Sequence, residues 1–222
     1  KPSASRSAPI NIRQMRQAQP TQQWNFAARS HKMGAEKAFQ EFGRTAFDPE
    51  RLKEEIIGLG AKAAALIAVE EISFDTAFRS MCASNACGNY GRSYMCPPEI
   101  EALIAEAKGY TYAIVYQTVG LLEDSYDFEG MMEAGQRHND LAQKVRELFE
   151  KSCREKALHL GAGGCRLCPV CGKKTGEPCR FPERAMSSLE AYGVNVSELA
   201  AQCGMRYING ENTVTYFGAV LF

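Results

Sequence analysis

Apolar positions recur along this chain with two different periods, and the period predicts each element in turn. Leu52, Ile56 and Leu59 follow at helical spacing behind Asp48, a capping residue, and Pro49, whose fixed φ suits a first helical turn. Gly58 and Gly60 end that helix. The run AAALIAVEEI over 63–72 is short and continuously apolar, which predicts a strand buried on both faces. Pro97 and Pro98 open a second helix, EIEALIAEAKG, with Ile100, Leu103, Ile104 and Ala107 along one face. A strand is expected over 110–119, then an acidic loop over 121–128. Residues 130–156 read as a long amphipathic helix, because Leu141, Val145, Leu148, Phe149 and Cys153 recur at steps of three and four. A strand over 157–160, a partly helical stretch over 187–203 and a last strand over 213–222 complete the pattern. A short helix is also expected over 34–45.

The same order therefore occurs twice: helix, strand, cysteine-rich loop, helix, strand. It predicts an α/β fold, a single domain over 34–222 built from two βαβ-like halves, each with a metal-binding loop, at 82–96 and 165–179. Residues 1–33 read instead as an irregular, polar, basic N-terminal arm.

Composition adds an exclusion and an asymmetry. With 45% hydrophobic residues the chain can build its own core. No run reaches the ~18–20 apolar residues that cross a bilayer, so no transmembrane segment is expected. Formal charge is zero, but Lys1, Arg6, Arg13, Arg16, Arg29 and Lys32 stand in an acid-free stretch, which leaves the remainder at net −6. A mildly acidic body argues against a nucleic-acid partner. An acid-free start rich in Arg and Ser is also what organelle targeting segments look like, and it points to a mitochondrion or related organelle. The arm has three readings: the processed end of an organellar precursor, a leader before Met33, or a segment that docks on a partner subunit.

The nine cysteines are odd in number and bunched, unlike a disulfide framework. Cys165, Cys168 and Cys171 stand at two-residue spacing, with Cys179 eight positions later. Thiolates so spaced on a tight loop converge on one soft metal centre, and a triplet with a remote fourth cysteine is a common [4Fe–4S] arrangement. A zinc site takes the same four thiolates and is the alternative. Cys82, Cys87 and Cys96 form the second candidate group, in a loop rich in Gly, Asn and Ser.

Two [4Fe–4S] clusters need eight thiolates and the two motifs supply seven. Cys203 is the candidate eighth ligand. Cys153, on an apolar helix face, reads as a small core residue. Two other answers are an iron left open at the first site, or a non-cysteine ligand such as His159, which reads more simply as a packed residue. Exchange of the remote cysteines Cys96 and Cys179 between the two sites is a further arrangement. Arg79, Arg92, Arg166 and Arg180 lie near the ligands in sequence, and Arg180 is expected to lie against them and tune the centre. Lys173 and Lys174 read as solvated surface, Tyr90 and Tyr94 as aromatics that wall off the first site. The GAGG at 161–164 lacks the Lys-Ser/Thr of a phosphate loop.

Two stretches carry a family resemblance. GGCRLCPVCGKKTGEPCRFPERAMSSLEAYGVNV, from Gly163, and CASNACGNYGRSYMCPP, from Cys82, resemble the signature of the predicted metal-binding protein family, domain of unknown function 2284. The likeness covers about residues 45–222. It departs at the acid-free arm and at Asn195, where the family pattern has Asp. The resemblance implies metal, iron–sulfur redox chemistry and the cytoplasm of an anaerobic prokaryote; it supplies no reaction. Together these readings predict an electron-transfer protein with two [4Fe–4S] clusters, serving a redox protein partner or a larger multisubunit complex through residues 1–33. The alternatives are a zinc-stabilised accessory subunit of a large assembly, or an enzyme with an open-site cluster.

Overall fold

A computed structural model describes residues 48–152 and 156–222. The expected arm (1–33), the short helix expected over 34–45 and Cys153 lie outside them. Helix α1, Pro49–Gly58, starts as its sequence predicts: the Asp48 carboxylate accepts the Glu50 and Arg51 N–H groups at 3.1 and 3.2 Å. Leu52 and Ile56 are its buried face and pack toward β1, Ala63–Ala68.

The expected strand over 63–72 is cut short. The Glu71 carboxylate accepts the Ala68 N–H at 3.0 Å, and the chain turns off as a 3₁₀ turn over Val69–Glu71. Burial on both faces fails too, because β1 is an edge strand and all of its residues are half-buried.

Helices α2 (Thr76–Ala83) and α3 (Glu101–Ala107) lie in the connection to β2, Tyr112–Leu121. Next come α4 (Phe128–Ser152) and β3 (Leu158–Gly161), then the two-residue β4 (Ser187–Ser188), α5 (Val196–Gln202) and β5 (Thr213–Leu221). The described residues are thus mixed α/β, around a five-stranded sheet of order β1-β2-β5-β3-β4. Its centre is the β2/β5 pair, antiparallel from Ala113↔Leu221 to Leu121↔Thr213.

The element order departs from the sequence expectation at helix α2, which holds Cys82, and at the two-residue β4, and the pairing departs from βαβ geometry. Strands β1 and β2 are antiparallel neighbours, as are β3 and β5; only the short β3/β4 contact is parallel. A βαβ crossover carries the chain back along the sheet before the next strand starts. Here the connection that carries the first cysteine group joins the antiparallel neighbours β1 and β2, whereas the second group lies between β3 and β4, which are parallel.

Helix α4 packs against β2, β5 and β3, with Ala134, His138, Leu141, Ala142, Val145 and Phe149 among its buried residues. Each large apolar side chain so buried contributes about 1.5–3 kcal/mol. His138 is unexpected in that row. It lies between Tyr116 and Tyr216, with ring centroids 5.7 and 5.8 Å away, and its Nδ1 is 2.9 Å from Thr118 Oγ1. No helix among the described residues is long and apolar enough to cross a membrane.

Candidate metal centre

The first cysteine group starts in the last turn of α2, which the Asp75 carboxylate caps by accepting the Ala77 N–H at 2.7 Å. Cys82 is in that turn. Asn85 then takes a positive φ of 55°, and its side chain accepts the Tyr90 N–H at 3.0 Å. This Asn-held turn places Cys87 at an exposed tip. A backbone bond from Gly91 N–H to the Pro97 carbonyl, 2.9 Å, closes the next turn and leaves Cys96 half-buried beneath it.

The second group leaves β3 through Gly161–Gly164. Cys165, Cys168 and Cys171 follow, and the chain makes a 3₁₀ turn over Gly172–Thr175 before Cys179. The Glu177 N–H donates to the Gly172 carbonyl at 2.9 Å. Gly172 is buried, and a Cβ there would stand 2.6 Å from the Pro178 carbonyl oxygen. The absent side chain is what lets the Cys171 end of this loop close on the Cys179 end.

Electrostatics identifies the neighbours. Burial pushes the Cys82, Cys96, Cys165 and Cys179 thiols above their ordinary range. Cys82 also feels Cys87; Cys165 feels Cys179 and Cys171; Cys179 feels Cys171 and Cys168. Cys96 feels Cys87 and Cys82 on its own loop and Cys165 on the other. Opposing these shifts are Arg79 at Cys82, the Ser93 hydroxyl at Cys96, the Leu167 and Met186 backbones at Cys165, and the Phe181 backbone at Cys179. The seven motif thiols thus lie in two adjoining neighbourhoods. Among the described residues, no three or more His, Cys, Asp or Glu side chains are already arranged as a coordination shell.

Several contacts tie the two loops together. The Tyr94 hydroxyl donates to the Glu177 carbonyl at 2.8 Å. Lys173 forms a half-buried ion pair with Glu99, and its Nζ stands 5.3 Å from the Tyr94 ring centroid. A Cβ on Gly164 would lie 3.2 Å from the Asn89 side-chain nitrogen. The reading of Lys173 as solvated surface is therefore wrong: Glu99 reaches it from the first loop and draws it in. Lys174, one residue on, is exposed as expected. Tyr94 bridges the loops as well as standing beside the cysteines. Sequence reasoning missed Glu99, since nothing in the Pro-Pro-Glu string says which cation it meets.

Arg180 Nη1 donates to the Val170 carbonyl at 3.0 Å, and the guanidinium also engages Glu177 and the Cys168 thiol. Arg79 is ion-paired to Glu101 at 3.0 Å beside Cys82. Arg166 points away, its Nη1 3.5 Å from the Met132 carbonyl on α4.

The remaining candidates stand apart from this constellation. Cys203 caps the C-terminus of α5, and burial with the Glu71 carboxylate pushes its thiol up to about 11. No motif cysteine is among the charges acting on it. His159, in β3, packs edge-on against Phe149 at 5.8 Å between centroids, as a core residue does.

The donor set is thiol only, soft, and carried on loops whose neighbouring elements are fixed. That chemistry suits iron–sulfur or zinc and disfavours magnesium or calcium. No curated protein and no solved structure matches the chain. One family model does, over residues 65–222, a span that includes both cysteine groups and more than half of the chain. On that match the chain belongs to the predicted metal-binding protein family, domain of unknown function 2284.

Proposed function

We propose that each cysteine loop holds a [4Fe–4S] cluster and that the protein transfers electrons to a redox partner or within a larger complex. Cys165, Cys168, Cys171 and Cys179 would hold one cluster; Cys82, Cys87 and Cys96 would hold the other. The observation that carries this reading is the pairing of two thiol-only groups on touching loops, with Cys96 of one beside Cys165 of the other. The repeated order of helix, strand, cysteine loop, helix and strand supports one centre per half. Such clusters supply one-electron transfer when bound. The chain's own part is to hold the thiols, exclude water around the half-buried ones, and set the local charge through Arg180 at Cys168 and Arg79 at Cys82.

Four thiols are held above their ordinary range in the metal-free chain, so metal uptake must displace their protons. Binding should release acid and tighten as pH rises. Anaerobic purification with iron and sulfide analysis and electron paramagnetic resonance tests the assignment. About eight irons per chain and a reducible signal support two clusters; a colourless protein with stoichiometric zinc rejects them in favour of a zinc-stabilised accessory subunit.

A second reading has its own observation. The charge acting on Cys203 is that of Glu71 and not of a motif cysteine, and the first loop itself brings three thiols, Cys82, Cys87 and Cys96. A three-thiolate cluster has one iron open to an exogenous ligand, which would make that site an enzyme's centre rather than a relay.

A further inference from the structure

We propose that Tyr94, Lys173 and Glu99 clasp the two cysteine loops into one unit, so that a metal centre formed on either loop raises the affinity of the other. The inference rests on the two-centre reading above and adds a coupling that the cysteine spacing does not contain. Three observations converge on it. Tyr94 reaches from the first loop to the Glu177 carbonyl of the second at 2.8 Å, two residues before Cys179. Lys173, two residues after Cys171, is paired with Glu99, three residues after Cys96, and both side chains are largely buried. The Lys173 ammonium stands 5.3 Å from the Tyr94 ring, so one cation serves both contacts. Tyr94, Glu99, Lys173 and Glu177 each stand two or three residues from a motif cysteine, so the clasp joins the loops close to the thiols.

The coupling follows from loop ordering. Closing several thiols on one centre fixes the side chains and backbone of the loop that carries them, at an entropic cost. Through the clasp, ordering one loop also restricts its neighbour. The second centre then forms on a partly ordered loop and costs less. Lys173 acts here as a positioning residue: it contacts no metal and works through the loop it tethers. Its charge also offsets the repulsion between two anionic centres.

The experiment uses the full chain in two states. In metal-free protein, alkylation of each cysteine is followed by peptide mass spectrometry. Lys173→Met, on the second loop, should speed alkylation of the half-buried Cys82 and Cys96 on the first by roughly two- to tenfold, the range expected for loss of one partly buried polar link, with the already exposed Cys87 little changed. Cys203 should be unchanged, which also reports an intact fold. Glu99→Gln should reproduce the effect on Cys171 and Cys179, Lys173→Arg should reverse it, and Lys174→Met should do nothing. In the second state, chains are supplied anaerobically with half-saturating ferrous iron and sulfide and examined by native mass spectrometry. Wild type should keep its singly loaded form well under about half, the share given by two equal independent sites, and Lys173→Met should raise it. Equal singly loaded shares in the two proteins overturn the coupling. Cys82 and Cys96 thiols that react alike in wild type and Lys173→Met overturn the clasp itself. A chain that takes up no iron sinks the cluster reading, and the clasp is then decided by alkylation alone.

Discussion

Gly172→Ala is the sharpest perturbation of the second cysteine loop that leaves every thiol in place. The added Cβ would stand 2.6 Å from the Pro178 carbonyl oxygen and 2.8 Å from that of Glu177. Ordinary carbon–oxygen contacts begin at about 3.3 Å, so this backbone must retreat by about half an ångström or more. Both obstacles are main chain and cannot swing aside as a side chain would. Overpacking of this kind costs about 1–3 kcal/mol. The retreat also carries Cys179, next to Pro178, away from Cys171, next to Gly172, whereas metal–ligand distances tolerate only about 0.2 Å. If the strain falls on the metal-bound form, affinity at this loop drops by about 5- to 150-fold, at tenfold per 1.4 kcal/mol. Gly176→Ala is the matched control. Gly176 has φ +75° and open space around its missing Cβ, so alanine costs about 1–2 kcal/mol of backbone strain without moving a ligand. The assay is competition against a chelator of known affinity, with a thermal melt of each metal-free variant. Gly172→Ala with wild-type metal affinity, or Gly176→Ala losing as much, would refute the argument that close chain approach sets this site.

Two further predictions concern the scaffold. Burial holds His138 at about 4, below its ordinary 6.5, so the folded state keeps it neutral while the unfolded chain takes up a proton. Its contribution is complete above pH 6.5 and lost as pH falls toward 4, a swing of about 3 kcal/mol at 1.36 kcal/mol per unit. Urea unfolding at pH 7 and at 4.5 should show a smaller acid loss for His138→Gln than for wild type; equal losses contradict the assignment. Gly218→Ala would put a Cβ 2.4 Å from Tyr116 Cζ on the paired strand, where the ring is buried and stacked on His138. About 1–3 kcal/mol, or a few degrees in Tm, should be lost, with part restored by Tyr116→Leu in the same chain.

Period and punctuation made most elements legible. Asp48-Pro49 marked the start of α1, and the 3.6-residue recurrence of Leu141, Val145 and Phe149 marked α4. The strand expected over 110–119 is β2, in which five successive residues from Ala113 to Gln117 are buried. The same rule misjudged 63–72, because an edge strand and a central strand can share an apolar run, and only the Glu71 carboxylate decides where this one stops. Strand direction is not written in a period of two, so the antiparallel pairing within each half was invisible. Cysteine spacing marked both loops but not their contact, which rests on pairs 74 and 83 residues apart, Glu99–Lys173 and Tyr94–Glu177. Adjacent lysines look alike in a string; only the fold separates half-buried Lys173 from exposed Lys174.

Cys203 decides what the first loop is for. A ligand must give up its proton, and both influences recorded on this thiol oppose that: burial, and a carboxylate rather than a cation as its charged neighbour. Each motif cysteine with a resolved shift has another cysteine acting on it, and Cys203 has none. Its place at the end of α5 is that of a packed capping residue, with its N–H on the Leu199 carbonyl at 3.0 Å. Cys203→Ser should therefore leave iron content and the paramagnetic signals at wild-type levels, whereas Cys96→Ser should remove one centre. Loss of a centre in Cys203→Ser would make it the eighth thiolate and close the first site as a relay. Unchanged content in a chain that carries Cys153→Ser as well would leave that site with three thiolates, and an added ligand such as cyanide should then shift one of the two signals and not the other. With one closed centre and one open centre clasped together, the chain would have the parts to deliver an electron to something bound at iron.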